Sequence, residues 1–343
     1  MRHYVGLDVS MKETHVCVID EEGDTCWQGR CRSVPEAIVA VIRAHAPSVE
    51  RVAVETGPLA TWHWHALREA GLPVVCLHAR HAKAALSLQL NKTDVNDAHG
   101  LAQLVRSGWY REVAVKSLES HRLRAALTAR ARLVTVRTGL YNQIRGVLKT
   151  FGVLLGPGRG SAFETRVRTV LREHAALAPF VEPLLTVWRV TSQQKTELDR
   201  HVQRAVRRNV SCRLLMTAPG VGAVTALAFV TGLDDPHRFR RSERVGAYLG
   251  LTPRRYQSGD VDRNGRISKC GDAMVRTYLF EAAHVLLTRR RGPCALRDWG
   301  LTLVRRIGRH KAKVAVARKL AVILHRMWID GSPFRAGTLP AAT

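Results

Sequence analysis

The stretch that decides the fold is YVGLDV at residues 4–9, in which apolar residues surround one carboxylate, Asp8. A second run of the same kind, VAVE at residues 52–55, ends in Glu55. Apolar, β-branched runs of this length are typical of β-strands. Because an unpaired carboxylate is costly to bury, we expect Asp8 and Glu55 to share a positively charged partner such as a metal ion.

The residues around these two runs predict a mixed α/β layer. The turn Glu22-Gly23-Asp24 favours antiparallel opening strands. Ser33 and Glu36 have the spacing of a helix capping box, with Pro35 between them in the first turn. Further strands are predicted at 14–20 and 72–77, and further helices at 60–70, 81–88 and 94–106. In such sheets functional sites gather at the carboxyl ends of strands.

A third acidic motif, KTDVND at residues 92–97, opens the last of these helices. Asp94 and Asp97 are three residues apart and therefore share one side of that helix. Their mutual repulsion would be relieved by Mg²⁺ or Mn²⁺, which carboxylate oxygens bind well. The alternative is that Asp94 caps the helix and Asp97 is a solvated acid that the helix dipole favours.

The charge of the chain is strongly positive and unevenly distributed. The formal net charge is +26 for 343 residues. Residues 1–110 contain 11 Lys/Arg and 12 Asp/Glu, whereas the rest contains 43 Lys/Arg and 16 Asp/Glu. All of the excess therefore follows the carboxylate motifs, which genome composition alone does not explain. A polyanion, and thus nucleic acid, is the predicted partner.

Two long helices are predicted in the middle of the chain, at 116–150 and about 181–210. Leu127, Val134, Tyr141 and Leu148 recur every seven residues in the first helix, beside a basic flank that includes Arg130 and Arg137. The pair favours an antiparallel coiled coil. Such an arm serves oligomerisation, nucleic-acid backbone contact or both, and the sequence leaves this open.

The C-terminal part has helical patterns at 239–249, 273–287 and 311–328, separated by sequences predicted to be loops at 250–259 and 265–271. These loops are rich in glycine, arginine and hydroxyl groups. Ser258 could attack phosphorus, although a Ser-Gly pair is also an ordinary turn, and Ser268 competes with it on spacing alone. Arg254, Arg255 and Arg266 could neutralise a phosphate.

The seven cysteines have no zinc-binding spacing and are predicted to be free thiols. No uninterrupted apolar run is long enough to span a bilayer, and Asp8 leaves no room for a signal peptide. We therefore expect a cytoplasmic protein that does not contact a membrane.

Taken in order, these motifs resemble the DEDD transposases of bacterial insertion sequences, the insertion sequence 110 family. The N-terminal resemblance is carried by GLD at 6–8, VETG at 54–57 and NKTDVNDA at 91–98. The C-terminal resemblance is carried by PGVG at 219–222, AYLGLTP at 247–253, SG at 258–259 and GRISKCG at 265–271. Each motif is weak alone, but the ordered series covers nearly the whole chain.

The resemblance implies a layout and a set of site residues. It places a RuvC-like, RNase H-type mixed sheet with helices at 1–112 and a helical coiled-coil region at 113–210. A mainly helical transposase domain follows at 211–330, and then a flexible tail at 331–343. The metal ligands fall on Asp8, Glu55, Asp94 and Asp97, and the catalytic serine falls on Ser258 rather than on Ser268.

The resemblance also implies an activity and its partners. Family members insert and excise their element through a serine-linked intermediate, in which the carboxylates of one subunit meet the serine of another. Better-understood members act as tetramers and use a bridge RNA that pairs with donor and target DNA. We expect the protein to bind Mg²⁺ or Mn²⁺, DNA and a guide RNA, and to form a homodimer or tetramer. The nucleic-acid contacts are expected at Arg130, Arg137, Arg254, Arg255, Arg266 and Lys269.

Two other functions remain open at this point. The first is a hydrolytic nuclease of the Holliday-junction-resolvase type, in which water replaces the serine as nucleophile. The second is a protein that binds nucleic acid without catalysis. Replacing Ser258 with alanine should abolish recombination by a recombinase but leave cleavage by a nuclease intact. Replacing Asp8 or Asp97 with alanine should inactivate either enzyme but leave the activity of a binding protein unchanged.

Overall fold

The fold is described from a computed structural model for residues 1–87, 91–156, 158, 160–289 and 292–337. Its internal contacts divide the chain into two compact units, Met1–Lys116 and Ser117–Thr343. Within the described residues, no helix is both long and apolar enough to cross a membrane. The seven cysteines are free thiols.

The first unit is built on a five-stranded sheet in the order β3-β2-β1-β4-β5. Strands β1, β2 and β3 are antiparallel neighbours, and β4 and β5 run parallel to β1. The strands are β1 His3–Val9, β2 Glu13–Ile19, β3 Thr25–Arg32, β4 Val49–Glu55 and β5 Val74–Leu77. This arrangement confirms the mixed sheet predicted from the sequence.

Four helices cover the two faces of this sheet. They are α1 Pro35–His45, α2 Ala60–Glu69, α3 Ala79–Leu86 and α4 Asp94–Ser107. Side chains alternate between the faces of a strand, so Val5 and Leu7 pack in one core with Ile38 of α1 and Leu67 of α2. Tyr4 lies on the opposite face, where Ala98 and Ala102 of α4 pack. The last residues of the predicted helix 81–88 include Leu88, which lies outside the described residues.

The predicted capping box before α1 is wrong. Val34 occupies the N-cap position, and no side chain caps the helix. Ser33 is buried, and its hydroxyl bonds the hydroxyl of buried Thr14 at 2.8 Å. A buried hydroxyl needs a partner more than an exposed helix end needs a cap, because water satisfies the helix end.

The second unit is mainly helical, with one hairpin. Its helices are α5 Leu118–Thr150, α6 Ser161–Glu173, α7 Ala178–Arg208, α8 Val210–Leu215, α9 Ala223–Leu233, α10 Glu243–Tyr248, α11 Ala273–Arg289, α12 Ala295–Ile307 and α13 Arg309–Asp330. The hairpin strands are β6 Pro253–Ser258 and β7 Val261–Ile267. Helices α6, α8 and α12 were not predicted from the sequence.

Helices α5 and α7 pack side by side in opposite directions. Leu127 shares a core with Val202 and Val206, whereas Leu148 packs near Val181 and Leu185. The predicted apolar stripe is interrupted between these two cores. There Arg130 bonds Asp199 at 2.5 Å and Lys195 bonds the other carboxylate oxygen. The two cations lower the pKa of Asp199 despite its partial burial.

Helix α13 is central to the C-terminal core. Its residues Ala317, Leu320, Ala321 and Leu324 are fully buried, as the sequence pattern indicated. In the region predicted to be a flexible tail, Phe334 packs against this core and its N–H donates to Thr217 Oγ1 at 3.0 Å. Residues 338–343 lie outside the described residues.

Candidate active site

The ends of β1 and β4 bring two carboxylates side by side. Leu7 pairs with Val54 in the parallel ladder, so Asp8 and Glu55 are the next residues on adjacent strands. Across the antiparallel ladder, Asp8 pairs with His15. Asp8 and Glu55 alternate with residues of the opposite core, so both face the side of the sheet that α4 covers.

Helix α4 lies directly on β1 because residue 6 has no side chain. A Cβ atom on Gly6 would lie 1.9 Å from the carbonyl oxygen of Ala98 and 2.6 Å from the nitrogen of Ala102. Thr93 caps the helix, since its hydroxyl accepts a hydrogen bond from the N–H of Asn96 at 3.1 Å. The first turn of α4, which contains Asp94 and Asp97, is thereby held near the end of β1.

The four carboxylates share one electrostatic environment. Burial raises the pKa of Asp8, and the charges of Asp94 and Asp97 raise it further. Burial likewise raises the pKa of Glu55, followed by the charges of Asp8 and Asp97. Lys92 opposes both shifts, and His15 opposes that of Asp8. The site therefore holds carboxylates in mutual repulsion, which a cation would relieve.

The carboxylates do not form a closed cluster. Among the described residues, no three His, Cys, Asp or Glu side chains are placed so that they hold one metal ion together. Asp94 is the most exposed of the four, and its carboxylate lies 3.7 Å from His15 Nε2. The arrangement is an open edge of oxygen donors, and His15 is a neighbour that the sequence did not single out.

A Gly6→Ala substitution should push α4 away from β1 and displace Asp94 and Asp97. We expect a loss of stability of about 1–3 kcal/mol or more, because an added methyl overfills a packed contact with backbone atoms. Thermal unfolding of the purified protein measures it. Gly139→Ala in α5 is the control: open space surrounds Gly139, so this helical position should gain about 0.5–1 kcal/mol. If both substitutions changed the stability equally, the close contact between Gly6 and helix α4 would be contradicted.

Ser258 lies at the exposed end of a β-hairpin and not in the predicted loop. It is the last residue of β6 and pairs with Val261 of β7 across a two-residue turn in which Gly259 has φ +52°. All of β6 is exposed. Because these strands are polar on both faces, they lack the apolar alternation that predicts a strand. The short Gly-Asp turn was the available signal.

Ser268 forms hydrogen bonds at the base of the hairpin. It is half-buried, its N–H donates to the carbonyl of Thr252 at 2.8 Å, and its hydroxyl accepts from the N–H of Cys270 at 3.4 Å. Within the described part of the chain, no hydrogen bond to the Ser258 hydroxyl is found. The structure therefore distinguishes two serines that spacing alone left equivalent.

The base of the hairpin is fixed by close backbone contacts. Gly250 and Gly271 have φ values of +69° and +79°, and a Cβ on either would lie 2.0 Å from a carbonyl oxygen of the other segment. Arg276 of α11 donates to the carbonyls of Leu249, Cys270 and Gly271, each at 3.0 Å. Sequence reasoning missed Arg276, since nothing in an isolated helical arginine indicates backbone partners.

Several arginines predicted to contact nucleic acid have partners within the chain. Arg130 pairs with Asp199 and its side chain is only 17% exposed. Arg254 donates to the carbonyl of Ser268 at 3.2 Å. Arg255 forms a bidentate pair with Asp262 at 2.9 and 2.7 Å. Arg137 is half-buried, and Arg266 and Lys269 are exposed. A nucleic-acid contact at any of these positions stays a prediction, and Arg130 is the weakest candidate because it is buried in its ion pair.

Comparison with known families assigns both halves of the chain. A family model for DEDD transposases of the IS110 type, described as "Transposase", matches residues 5–152. A second, described as "Transposase IS116/IS110/IS902 family", matches residues 212–299. Together the two models cover more than half of the chain and include all five predicted catalytic positions.

Individual relatives extend over nearly the whole length. The transposase for insertion sequence element IS1111A of Coxiella burnetii is 28% identical over 97% of this chain and 91% of its own. The transposase for insertion sequence element IS1328 of Yersinia enterocolitica is 26% identical over 96% of this chain and 98% of its own. A probable family 20 transposase of Pseudomonas aeruginosa is 28% identical over 83% of this chain and 86% of its own.

Two solved structures of Thermus thermophilus RuvC align with part of the chain. One covers 32% of this chain and 98% of its own at 17% identity, with a TM-score of 0.25. The other, in complex with a Holliday junction substrate, covers 33% of this chain and 100% of its own at 15% identity, with a TM-score of 0.24. Both scores are below 0.5, so neither likeness carries a conclusion. The two family models, in contrast, show the family to which this protein belongs. The chain belongs to the IS110 family of DEDD transposases, enzymes that cut and rejoin DNA and whose carboxylate set implies a divalent metal.

Proposed function

We propose that this transposase exchanges DNA strands through Ser258, with Asp8, Glu55, Asp94 and Asp97 as its metal ligands and a structured RNA as its guide. The observation that carries the proposal is the contrast between two serines. Ser258 is exposed beside a tight turn, whereas Ser268 is bound into the backbone at the hairpin base. A nucleophile must reach a phosphodiester of bulky DNA, and exposed Ser258 meets this requirement better than half-buried Ser268.

The reaction would conserve phosphodiester bonds. The Ser258 Oγ–P bond forms while one P–O bond to deoxyribose breaks; the serine proton passes to water, and the released sugar oxygen takes up a proton. In the second step a sugar hydroxyl of another strand attacks the phosphoserine and returns the serine hydroxyl. No oxidant and no nucleotide cofactor is consumed, because each step exchanges one phosphate ester for another.

The carboxylate edge fits Mg²⁺ or Mn²⁺ by its donor chemistry. All four proposed ligands offer oxygen atoms, which hard divalent cations prefer. Burial and like charge raise the pKa of Asp8 and Glu55, so a bound cation would remove a repulsion that the fold otherwise retains. Such an ion would neutralise charge on the phosphate that exchanges. Asp8 and Glu55 are fixed by the sheet, whereas Asp94 and Asp97 depend on α4.

The charge distribution supports nucleic acid as the partner, including an RNA guide. The first 110 residues are close to neutral, and the remaining chain holds 43 Lys/Arg against 16 Asp/Glu. A basic body can hold the backbones of DNA and RNA without regard to sequence. Base pairing with a guide would then supply the choice of target that backbone contacts lack.

The helical arm supports self-association. On α7, Phe180, Val187 and Val190 are 66%, 51% and 46% exposed, and their spacing places them along one side of the helix. Exposed apolar stripes of this kind are typical of protein contacts. We propose a homodimer or tetramer that associates in part through this arm.

The site of covalent attachment can be tested directly. DNA carrying the element's ends should become linked to the protein, and trypsin should release the adduct on the peptide Tyr256–Arg263, in which Ser258 is the sole serine. Ser268 would appear instead in Ile267–Lys269, so mass spectrometry separates the two. We expect the modification on Tyr256–Arg263. Attachment to the shorter peptide, or efficient recombination without any adduct, would contradict the serine assignment.

A further inference from the structure

The hairpin that carries Ser258 has two chemically different faces. In its antiparallel register Ser258 pairs with Val261, Tyr256 with Arg263 and Gln257 with Asp262. Directly paired residues and every second residue share a face. Ser258, Tyr256 and Arg263 therefore project from the same face, while Arg255, Gln257 and Asp262 project from the other.

The charges on the second face are already neutralised. Arg255 and Asp262 form a bidentate ion pair there, which raises the pKa of Arg255 and lowers that of Asp262. Arg254, at the start of β6, is bonded to the carbonyl of Ser268. Arg254 and Arg255, the two arginines nearest to Ser258 in the sequence, therefore stabilise the hairpin itself.

Arg263 differs from these arginines. It is exposed, and no ion pair or hydrogen bond to it is found among the described residues. Its strand partner Tyr256 is 66% exposed. The Arg263 guanidinium and the Tyr256 ring lie on the same face as the Ser258 hydroxyl, and together they match the two parts of a nucleotide. Arginine binds a phosphate bidentately. An aromatic ring stacks on a base.

We propose that Arg263 and Tyr256 form the substrate subsite of Ser258. Arg263 binds the non-bridging oxygens of the phosphate that the serine attacks, and Tyr256 stacks on a base next to that phosphate. Because a stacked base has to leave its own helix, the nucleotide at the cleavage point is unpaired when it reacts. This inference rests on the proposed serine chemistry.

The rate of adduct formation in a single turnover, at saturating element-end DNA, tests the arginine. Arg263→Ala should lower this rate about 100- to 1000-fold, as removal of one donor from a developing oxyanion does. Arg263→Lys should recover part of the loss, since it keeps the charge without the bidentate geometry. Arg172→Ala is the control, because it removes an exposed cation from α6, and it should leave the rate unchanged.

The tyrosine is tested with an abasic substrate. Tyr256→Ala should weaken productive binding about 10-fold, whereas Tyr256→Phe should not, because stacking needs the ring and not the hydroxyl. With DNA lacking the base on one or the other side of the cleavage point, the Tyr256→Ala loss should disappear for one of the two substrates. Gln257→Ala, from the opposite face, is the matched control. All five hairpin variants should unfold at the wild-type temperature, since these side chains are exposed.

The outcomes separate this subsite from the serine assignment. If Ser258→Ala is inactive but Arg263→Ala reacts at the wild-type rate, the subsite is wrong and the serine stands. A Tyr256→Ala loss that persists on both abasic substrates would overturn the stacking. An adduct that still forms in Ser258→Ala would overturn the proposed function itself, whatever the hairpin variants do.

Discussion

Replacing Ser258 with alanine is expected to abolish recombination and every covalent protein–DNA adduct. The serine oxygen forms the only covalent link between protein and DNA in the proposed reaction, so no partial activity should remain at the detection limit of a gel assay. Binding of element-end DNA should be preserved, because Ser258 is exposed and at the end of a strand. Denaturing gels of labelled DNA measure the adduct, and a two-plasmid assay measures recombination.

The control for this experiment is Ser268→Ala. That substitution removes the hydroxyl that accepts from the N–H of Cys270, so it should loosen the hairpin base and reduce activity without eliminating the adduct. A hydrolytic nuclease predicts the opposite pattern at Ser258: cleavage of branched DNA would continue in Ser258→Ala, and the products would carry free ends. That result would assign the nucleophile to water and support the resolvase-type alternative.

The second large effect is expected at the carboxylate edge. Asp8→Asn or Asp97→Asn should lower recombination about 1000-fold or more, the rate equivalent of several kcal/mol of lost charge stabilisation. Asp8→Asn should not destabilise the protein without metal. The pKa of Asp8 is raised by burial and by Asp94 and Asp97, which means that the ionised carboxylate costs folding energy that a neutral amide avoids.

A readout independent of activity is the effect of metal on unfolding. Millimolar Mg²⁺ or Mn²⁺ should raise the unfolding temperature of the wild type, because an ion bound by the native state alone stabilises it. The shift should be absent in Asp8→Asn and unchanged in Asp24→Asn, which alters an exposed carboxylate of the same unit. If both Asp8→Asn and Asp97→Asn recombined DNA normally, the carboxylates would be structural and the chain would act without this metal site.

How well the sequence predicted each element depended on whether its pattern was local. Strands β1 and β4 follow from apolar runs and helix α4 from the helical pattern that opens at Asp94, and all three agree with the structure. The hairpin at 253–267 was predicted as loop, because strands that are exposed along nearly their whole length carry no apolar alternation. The capping box at Ser33 was predicted wrongly because its real partner, Thr14, is distant in sequence.

The site shows the same division. Asp8, Glu55, Asp94 and Asp97 were named from spacing, and their mutual effect on ionisation places them in one environment. The arginines were harder to assign, since every exposed arginine looks alike in a sequence. Only the structure shows that Arg255 is neutralised by Asp262 and that Arg276 fastens the hairpin base, because both partners are brought near by chain folding.

By itself the sequence determined the mixed sheet and pointed to the four acidic positions through residue type and short-range periodicity, and its ordered motifs carried the resemblance to the family. The tertiary structure alone decided which serine is exposed, which arginines are already bonded and which face of the hairpin carries the nucleophile. Those properties depend on contacts between segments and on a strand register that is fixed by hydrogen bonds across the pair, and neither is encoded in the identity of a single residue.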